Sequence, residues 1–227
     1  MWIDEYDKEK YIIEKDDYIE VNGGDGTLIR AIHMHANKNK PFFGIASGTI
    51  NFLMNQEKEI SENVTTQKFY LITGKVTYTR KTFGWKDEEI TEDFIAFNDI
   101  IIGEFNAWIE FNCTHEDNIL GKFMGSAVLI STAQGSTGAN KNNHGTILPL
   151  SSKNWSVTGV MCNRYIDYVI ESTNTTFEVK SRGPITLCVD GSRYTYNNVS
   201  KVQIMRGEPV EVLFNNIQNF KEKRQQN

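Results

Sequence analysis

The stretch Tyr18-Ile-Glu-Val-Asn-Gly-Gly-Asp-Gly-Thr27 joins a strand-like run to a turn that contains three glycines, an aspartate and a threonine. Glycine permits positive φ and lets backbone N–H groups approach a bulky anion, and a helix predicted to open at Thr27 favours negative charge at its N-terminus. The residues predicted to bind phosphate are Gly23, Gly24, Gly26 and Thr27. An acid normally repels phosphate, so Asp25 suggests chemistry: it accepts a proton from an attacking hydroxyl or holds a magnesium ion. The alternative is a plain Asp-Gly turn between strand and helix.

The residues after the turn predict a helix and then a second strand. Leu28, Ile29, Ile32 and Ala36 recur at helical spacing, and the extended segment 41–45 follows. A right-handed βαβ crossover of this kind predicts a parallel sheet with the glycine turn at its carboxyl edge, where such sheets bind ligands. At the end of the second strand, Gly48 and Thr49 are expected to offer further backbone donors to the same ligand.

From about Gln67 the pattern changes to repeated β segments, which predicts a second region that is mostly antiparallel. The charged stretch 55–63 is predicted to be a short helix or a connector. The expected fold is an α/β N-terminal domain, a truncated Rossmann-like βαβ unit over residues 1–60, followed by a mostly antiparallel all-β domain over 61–227. The predicted strands of the second domain are 69–79, 94–102, 107–113, 127–131, 177–179, 185–189, 202–205 and 210–214.

Two polar segments interrupt this β region. Residues 131–139, Ser-Thr-Ala-Gln-Gly-Ser-Thr-Gly-Ala, are small and hydroxylated, and suit either close approach to a flat ligand or a capped turn. Asn98 and Asp99 are predicted to lie together inside an apolar strand. An amide and a carboxylate buried there require polar partners, at a cost of about 1 to 3 kcal/mol each if unpaired. A ribose diol and a neighbouring turn are both suitable partners.

Composition excludes several classes of protein. The net charge of −5 argues against a nucleic-acid surface, which demands basic patches. No apolar stretch approaches the roughly 20 residues that span a bilayer, and the charged start differs from a secretory signal, so a cytoplasmic protein without membrane contact is expected. Three cysteines without metal-ligand spacing predict reduced thiols, and His33 and His35 face different sides of their helix, so no metal site is predicted.

Taken in order, the Gly-Gly-Asp-Gly-Thr turn, the stretch 44–53, the pair Asn98-Asp99 and the segment 131–137 resemble the NAD kinase family over roughly residues 17 to 214. The resemblance implies ATP and Mg²⁺ as cofactors, NAD or NADH as substrate, and a homo-oligomer. It implies that Asp25 is the base for the ribose 2′-hydroxyl and that Asn98 and Asp99 hold ribose hydroxyls. The residues that it places around the dinucleotide are Ile29, Phe52, Asn98, Asp99, Ser126, Thr137, Gly138, Ala139 and Asn142.

Three departures from the family pattern leave alternatives open. Ser126 stands where the family usually has an aspartate, Ala139 where it has a tyrosine, and only about twenty residues precede the glycine turn. A catalytically weak or inactive relative that binds an adenine nucleotide is therefore the first alternative. A lipid kinase of the diacylglycerol kinase type, which shares the glycine turn, is the second.

Overall fold

The computed structural model describes residues 11–47, 51–81, 87–105, 107–116, 118–191 and 193–226. The proposed donors Gly48 and Thr49 lie outside these residues. The helices are α1 (Asp25–His35), α2 (Ala139–Asn142) and α3 (Ile217–Gln226). The strands are β1 (Ile12–Glu14), β2 (Ile19–Gly23), β3 (Phe42–Ala46), β4 (Thr65–Lys81), β5 (Asp87–Ala96), β6 (Asp99–Gly103), β7 (Ile109–His115), β8 (Asn118–Gly125), β9 (Ala127–Ser131), β10 (Asn154–Val160), β11 (Asp167–Glu171), β12 (Thr175–Lys180), β13 (Thr186–Val189), β14 (Tyr194–Asn197) and β15 (Val199–Phe214).

Backbone contacts divide the chain into two compact units. The first unit contains the chain up to Phe69 together with the part from Pro209 onward, and the second contains Tyr70–Glu208. The sequence-based expectation places the division between residues 60 and 61 and assigns the chain end to the second domain. The chain end groups with the first unit because Val212 of β15 pairs in parallel with Phe42 of β3.

The first unit contains the βαβ arrangement that the sequence predicts. Strands β2 and β3 pair in parallel from Ile19 opposite Phe42 to Gly23 opposite Ala46, and α1 connects them. The short strand β1 adds to β2 in the antiparallel sense. The glycine turn therefore lies at the carboxyl edge of β2, the edge at which parallel sheets bind ligands.

Helix α1 forms where the apolar spacing predicts it. Its buried residues are Leu28, Ile29, Ala31 and Ile32, and it ends in a 3₁₀ turn at 36–38. The segment 55–63, predicted to be either a short helix or a connector, contains no helix and is a connector.

The second unit is mostly antiparallel β, as predicted. One sheet has the strand order β11-β10-β9-β6-β13-β14, and its neighbours are antiparallel throughout. Antiparallel pairs also join β12 to β7, β7 to β8, and β4 to β5. One hydrophobic core holds side chains from both groups of strands, including Ile100, Phe111, Val128, Trp155 and Phe177.

The strand predictions for this unit are correct in part. The prediction of 127–131 coincides with β9, whereas the single strand expected over 94–102 is two strands, β5 and β6, separated by a bend at Phe97 and Asn98. The two strands expected at 202–205 and 210–214 are one continuous strand, β15. Sequence patterns did not predict β8, β10, β11 and β14.

None of the helices in the described ranges is long and apolar enough to cross a membrane.

Candidate functional site

Asp25 lies at the start of α1, directly beyond the carboxyl end of β2. Gly24 is the N-cap residue in extended conformation, and the helix begins at Asp25, two residues before the predicted start at Thr27. A carboxylate in the first helical turn interacts favourably with the exposed N–H groups and the helix dipole. The sheet therefore places Asp25 at the edge at which parallel sheets bind ligands.

The Asp25 carboxylate also holds the chain segment that follows β3. The N–H of Phe52 donates to Oδ1 at 3.1 Å and to Oδ2 at 3.0 Å, and the N–H of Leu53 donates to Oδ1 at 2.9 Å. A carboxylate has about four lone-pair sites. These contacts use at most three of them, so Oδ2 retains the capacity to accept a proton from a reacting hydroxyl.

The glycines of the turn serve close approach and do not adopt positive φ. Among the described glycines, only Gly121 and Gly191 have positive φ, so the turn does not use the left-handed backbone that glycine permits. A Cβ on Gly23 would lie 2.5 Å from Oγ1 of Thr27, and a Cβ on Gly24 would lie 3.2 Å from Oδ1 of Asn51. The first of these distances requires a glycine, because the helix folds back tightly over the end of the strand. The phosphate-binding roles of Gly23, Gly24, Gly26 and Thr27 stay predictions.

Asn55, which sequence patterns did not single out, fixes the segment that Asp25 contacts. Its buried Nδ2 donates to the carbonyls of Gly44 at 3.0 Å and Leu213 at 2.9 Å, and its Oδ1 accepts the N–H of Asn215 at 2.8 Å. This amide joins β3, the end of β15 and the segment of Phe52. A lone Asn in a polar stretch carries no sequence signal for such a role.

The two apolar residues predicted to pack near adenine differ in exposure. Ile29 is buried in α1, whereas Phe52 is half-buried and lines a small cavity with Met54, Phe214 and Phe220. Phe52 therefore has surface available for a flat ligand, and Ile29 has little.

In the second unit, Asn98 lies in the bend between β5 and β6 and Asp99 begins β6, so the pair does not lie inside a strand as predicted. Asn98 is half-buried at the bend, and Asp99 is the first residue of β6 with 8% of its surface exposed. The carboxylate of Asp190 accepts the N–H groups of Phe97, Asn98 and Asp99. The sequence left open whether Asn98 and Asp99 bond to a ribose diol or to a neighbouring turn. The turn that carries Asp190 is the partner of their backbone N–H groups.

The structure brings the polar segment 131–137 against this bend. Oγ1 of Thr132 donates to the carbonyls of Phe97 and Asn98, both at 2.9 Å, and Nε2 of Gln134 also donates to Phe97. A Cβ on Gly135 would lie 2.2 Å from the carbonyl oxygen of Asn98. Two segments that are distant in sequence are therefore packed against each other, and their assignment to one ligand pocket stays a prediction.

The residues after Gly135 form a 3₁₀ turn and then α2. Thr137 and Ala139 are half-buried, and Gly138 and Asn142 are exposed, so all four have surface for a ligand. Ser136, considered as a ligand contact in the sequence, is instead fully buried: its Oγ donates to Ala133 and accepts the N–H of Leu148.

Asn140, which sequence patterns did not single out, attaches α2 to β10. Its buried Nδ2 donates to the carbonyls of Ser136 and Thr146, and its Oδ1 accepts the hydroxyls of Ser156 at 3.1 Å and Thr158 at 2.7 Å. Four hydrogen bonds on one buried amide hold α2 against β10.

Ser126 lies apart from the other predicted pocket residues of its unit. It precedes β9, while Ser131 at the other end of β9 pairs with Asp99, and five residues of strand span about 17 Å. The Ser126 hydroxyl donates to the carbonyls of Phe105 and Ala107, each at 3.4 Å. Within one chain, Ser126 does not join the pocket of Asn98 and Asp99.

Asp99 has an unusual proton affinity. Burial, together with the negative charge of Asp190, raises the pKa of Asp99 to about 7. This carboxyl group therefore changes between hydrogen-bond donor and acceptor near neutral pH.

The relatives and the solved structures that resemble this chain are NAD or NADH kinases. No protein-family model matches the chain. An NAD kinase of Rickettsia africae is 26% identical over 215 residues, covering 89% of this chain and 82% of the relative, and an NAD kinase of Xanthomonas oryzae pv. oryzae is 28% identical over 143 residues, covering 61% and 54%.

Solved structures support the same fold. The yeast NADH kinase complexed with NADH superimposes with a TM-score of 0.74 at 17% identity, covering 92% of this chain and 66% of that one. An NAD kinase from Archaeoglobus fulgidus in complex with ATP gives a TM-score of 0.69 at 16% identity, covering 91% and 80%. At these identities the structural likeness shows the fold.

Proposed function

We propose that this chain, which belongs to the NAD kinase family, transfers the terminal phosphoryl group of ATP to the 2′-hydroxyl of the adenosine ribose of NAD or NADH. The observation that carries the proposal is Asp25, a carboxylate fixed by two backbone N–H groups at the carboxyl edge of a parallel sheet. Curated relatives named NAD kinase that align over most of the chain support it.

In the proposed step, the 2′-hydroxyl oxygen forms a bond to the terminal phosphorus of ATP. The bond from that phosphorus to the bridging oxygen breaks, and ADP leaves with the electron pair. The hydroxyl proton passes to Asp25, whose Oδ2 accepts one backbone N–H at 3.0 Å and has a further lone pair. The Phe52 and Leu53 N–H groups keep the carboxylate oriented for this transfer.

Ligand-binding roles follow the family pattern at the matching positions. Asn98 and Asp99 bind ribose hydroxyls, which suits a polar bend whose backbone N–H groups are already satisfied by Asp190. The residues proposed to line the base pockets are Ile29, Phe52, Thr137, Gly138, Ala139 and Asn142. The residues proposed to contact phosphate are Gly23, Gly24, Gly26 and Thr27.

Mg²⁺ fits this chain as a metal held largely by the nucleotide. Within the described part of the chain, no group of three or more His, Cys, Asp or Glu side chains is placed to hold a metal ion. Mg²⁺ commonly binds one or two carboxylates together with substrate phosphates and water. Asp25, the acid of the phosphate turn, is the residue proposed to approach it, and the ion would neutralise charge on the phosphates.

A homo-oligomer is the second part of the proposal, and the surface around Ser126 supports it. Phe105, Met161 and Tyr165 are exposed by 68%, 69% and 75%, and Trp108 by 54%. The Ser126 hydroxyl donates to the carbonyls of Phe105 and Ala107, and the N–H of Ser126 donates to the carbonyl of Val160, so the backbone near Ser126 adjoins Phe105 and Met161. Ser126 itself is buried, with 4% of its surface exposed, so a second copy of the chain that covered this surface would lie next to the Ser126 segment.

Sedimentation analysis tests the oligomer with Met161→Glu. The added charge should dissociate the assembly, whereas Met205→Glu, at an apolar residue exposed by 55% on β15, should leave it intact. A wild-type monomer would overturn the homo-oligomer, and an assembly unaffected by Met161→Glu would place the interface elsewhere.

A cytoplasmic location completes the proposal. Cys113, Cys162 and Cys188 are all free thiols, which suits a reducing compartment.

One assay separates the proposed function from its two alternatives. Purified protein is incubated with ATP, Mg²⁺ and NAD or NADH, and the 2′-phosphorylated product is measured, with diacylglycerol as a parallel acceptor. Formation of NADP or NADPH supports the proposal. Nucleotide binding in calorimetry without product identifies the inactive relative, and a phosphorylated lipid identifies the lipid kinase.

A further inference from the structure

Asp190 lies in the hairpin turn between β13 and β14 in a left-handed conformation, with φ of +47°, and Gly191 follows with φ of +65°. Aspartate and asparagine adopt this conformation more readily than other non-glycine residues. The turn therefore explains an Asp-Gly pair at this place. It does not explain where the carboxylate of Asp190 points.

That carboxylate contacts three consecutive backbone N–H groups at the bend between β5 and β6. The N–H of Phe97 donates to Oδ2 at 2.7 Å, and the N–H groups of Asn98 and Asp99 donate to Oδ1 at 2.7 and 3.1 Å. The N–H of Asp190 donates in return to the carbonyl of Asp99 at 3.0 Å. Because hydrogen bonds to a charged acceptor are the stronger ones, the bend at 97–99 is held by one carboxylate about 90 residues away in sequence.

We propose that Asp190 is the positioning residue of the dinucleotide site: its carboxylate sets the backbone of Asn98 and Asp99 and so the direction in which their side chains meet the ribose. The inference rests on the proposed function for the identity of the ligand. Asp190 acts through Asn98 and Asp99, and no contact with the ligand is assigned to it.

Thr132 and Gln134 secure the carbonyl side of the same bend, and Asp190 secures its N–H side. Thr132 donates to the carbonyls of Phe97 and Asn98, and Gln134 to that of Phe97. The bend is thus fixed from two directions, and removal of Asp190 would release the N–H groups while the carbonyls stay bonded. The expected result is a local loosening of 97–99, not an unfolded unit.

Electrostatics distinguish a positioning role from a merely structural one. The charge of Asp190 acts on Asp99 and raises its pKa, after the larger contribution of burial. The same hairpin carries the cation Arg193, whose N–H donates to the carbonyl of Val189 at 2.7 Å. An uncharged residue at 190 would leave Asp99 ionised at lower pH, and a carboxylate that accepts from ribose hydroxyls would then bind at lower pH.

The test compares Asp190→Asn and Asp190→Gly with Asn198→Gly. Both substitutions at 190 tolerate positive φ. Asn198 is a matched control because it lies between β14 and β15 with φ of +58°, and its side chain donates to the carbonyl of Thr79 at 3.3 Å. Amide hydrogen exchange resolved at Phe97, Asn98 and Asp99 gives a readout that needs no ligand. Calorimetric titration with NAD and with ATP, repeated from pH 5.5 to 8, gives the second.

Both variants at 190 should exchange faster at 97–99, and NAD affinity should fall about 5- to 150-fold, the equivalent of one lost polar partner. ATP affinity should stay within about twofold, and the pH midpoint of NAD binding should move lower in Asp190→Asn. Asn198→Gly should change none of these. Unchanged exchange and NAD affinity in both variants would overturn the role of Asp190, as would a uniform loss of affinity without a shift of midpoint. A wild-type protein that fails to bind NAD or NADH would overturn the proposed function instead, and the exchange result would still decide whether Asp190 holds the bend.

Discussion

In two turns of this molecule a carboxylate accepts backbone N–H groups. The two turns differ in whether that same carboxylate also has the proposed role toward the ligand. In the first unit, Asp25 both orients the 52–53 segment and is the proposed base. In the second unit, Asp190 holds the bend and Asp99 is the proposed ligand contact. One residue combines positioning and chemistry in the first turn, whereas two residues share them in the second.

This difference decides what substitution can reveal. A change at Asp25 alters the geometry of Phe52 and Leu53 together with the proton acceptor, so kinetics alone do not separate the two. At the second turn, positioning is altered at Asp190 and the ligand contact at Asp99, each in its own variant. The free energy of unfolding is therefore the second measurement that the first turn requires.

The largest effect is expected for Asp25→Asn, which should lower kcat by about 10²- to 10⁴-fold because an amide does not take up the hydroxyl proton. The amide oxygen can still accept the N–H of Leu53, so the free energy of unfolding should fall by only about 1 kcal/mol. Steady-state kinetics and denaturant unfolding measure the two quantities. Asp17→Asn, at an exposed acid before β2, is the control and should change neither. Wild-type kcat in Asp25→Asn would remove Asp25 from the chemistry.

The next effect concerns the pH dependence of stability in Asp99→Asn. The folded protein retains the Asp99 proton up to about pH 7, whereas an unfolded aspartate releases it near 3.8, so the folded state binds more protons between these values. Stability of the wild type should therefore fall as pH rises from about 4 to 7, by up to about 4 kcal/mol from this group. Asp99→Asn should remove that slope in denaturant unfolding at a series of pH values. Parallel curves for the two proteins would show that Asp99 ionises normally.

The smallest effect is expected for Gly135→Ala, which tests how tightly the polar segment packs on the bend. The new Cβ would lie 2.2 Å from the carbonyl oxygen of Asn98, and the forced shift should cost about 1 to 3 kcal/mol in the free energy of unfolding. NAD affinity should fall with it, because the displaced backbone carries Asn98. Gly183→Ala, where the new Cβ meets no atom within 4 Å, is the control. Equal stabilities of the two variants would mean that the bend adjusts freely.

Local patterns predicted the first turn well, because its parts are adjacent in sequence. The alternating run of β2, the glycines and the apolar spacing of α1 are neighbours, and each follows from residues within one or two helical turns. The same holds for β9, a continuous apolar run. Composition does not determine the backbone angles inside the turn, whose glycines do not adopt positive φ.

The hydrogen bonds of Asp190 and Asn55 were not predicted, because they join residues that are distant in sequence. Asp190-Gly191 is a hairpin signal, yet nothing near it in sequence indicates that the carboxylate reaches Phe97. Asn55 likewise bonds to Leu213, 158 residues away. Strand β8 was missed since only two of its eight residues are buried, and its two glycines weaken the alternating pattern.

The position of β15 late in the chain affects the order in which the two units can fold during synthesis. Residues 70–208 emerge from the ribosome as one uninterrupted segment, whereas the first unit waits for Val212 to pair with Phe42 and for Leu213 and Asn215 to bond to Asn55. During synthesis the second unit can thus fold before the first, although its residues are translated later than the glycine turn. In a nascent chain that ends before Val212, Asn55 lacks two of its hydrogen-bond partners, Leu213 and Asn215. The segment that contacts Asp25 then loses this support. Premature termination thus yields a chain that contains every residue of the phosphate turn but lacks the strand that completes its sheet, a natural substrate for protein quality control.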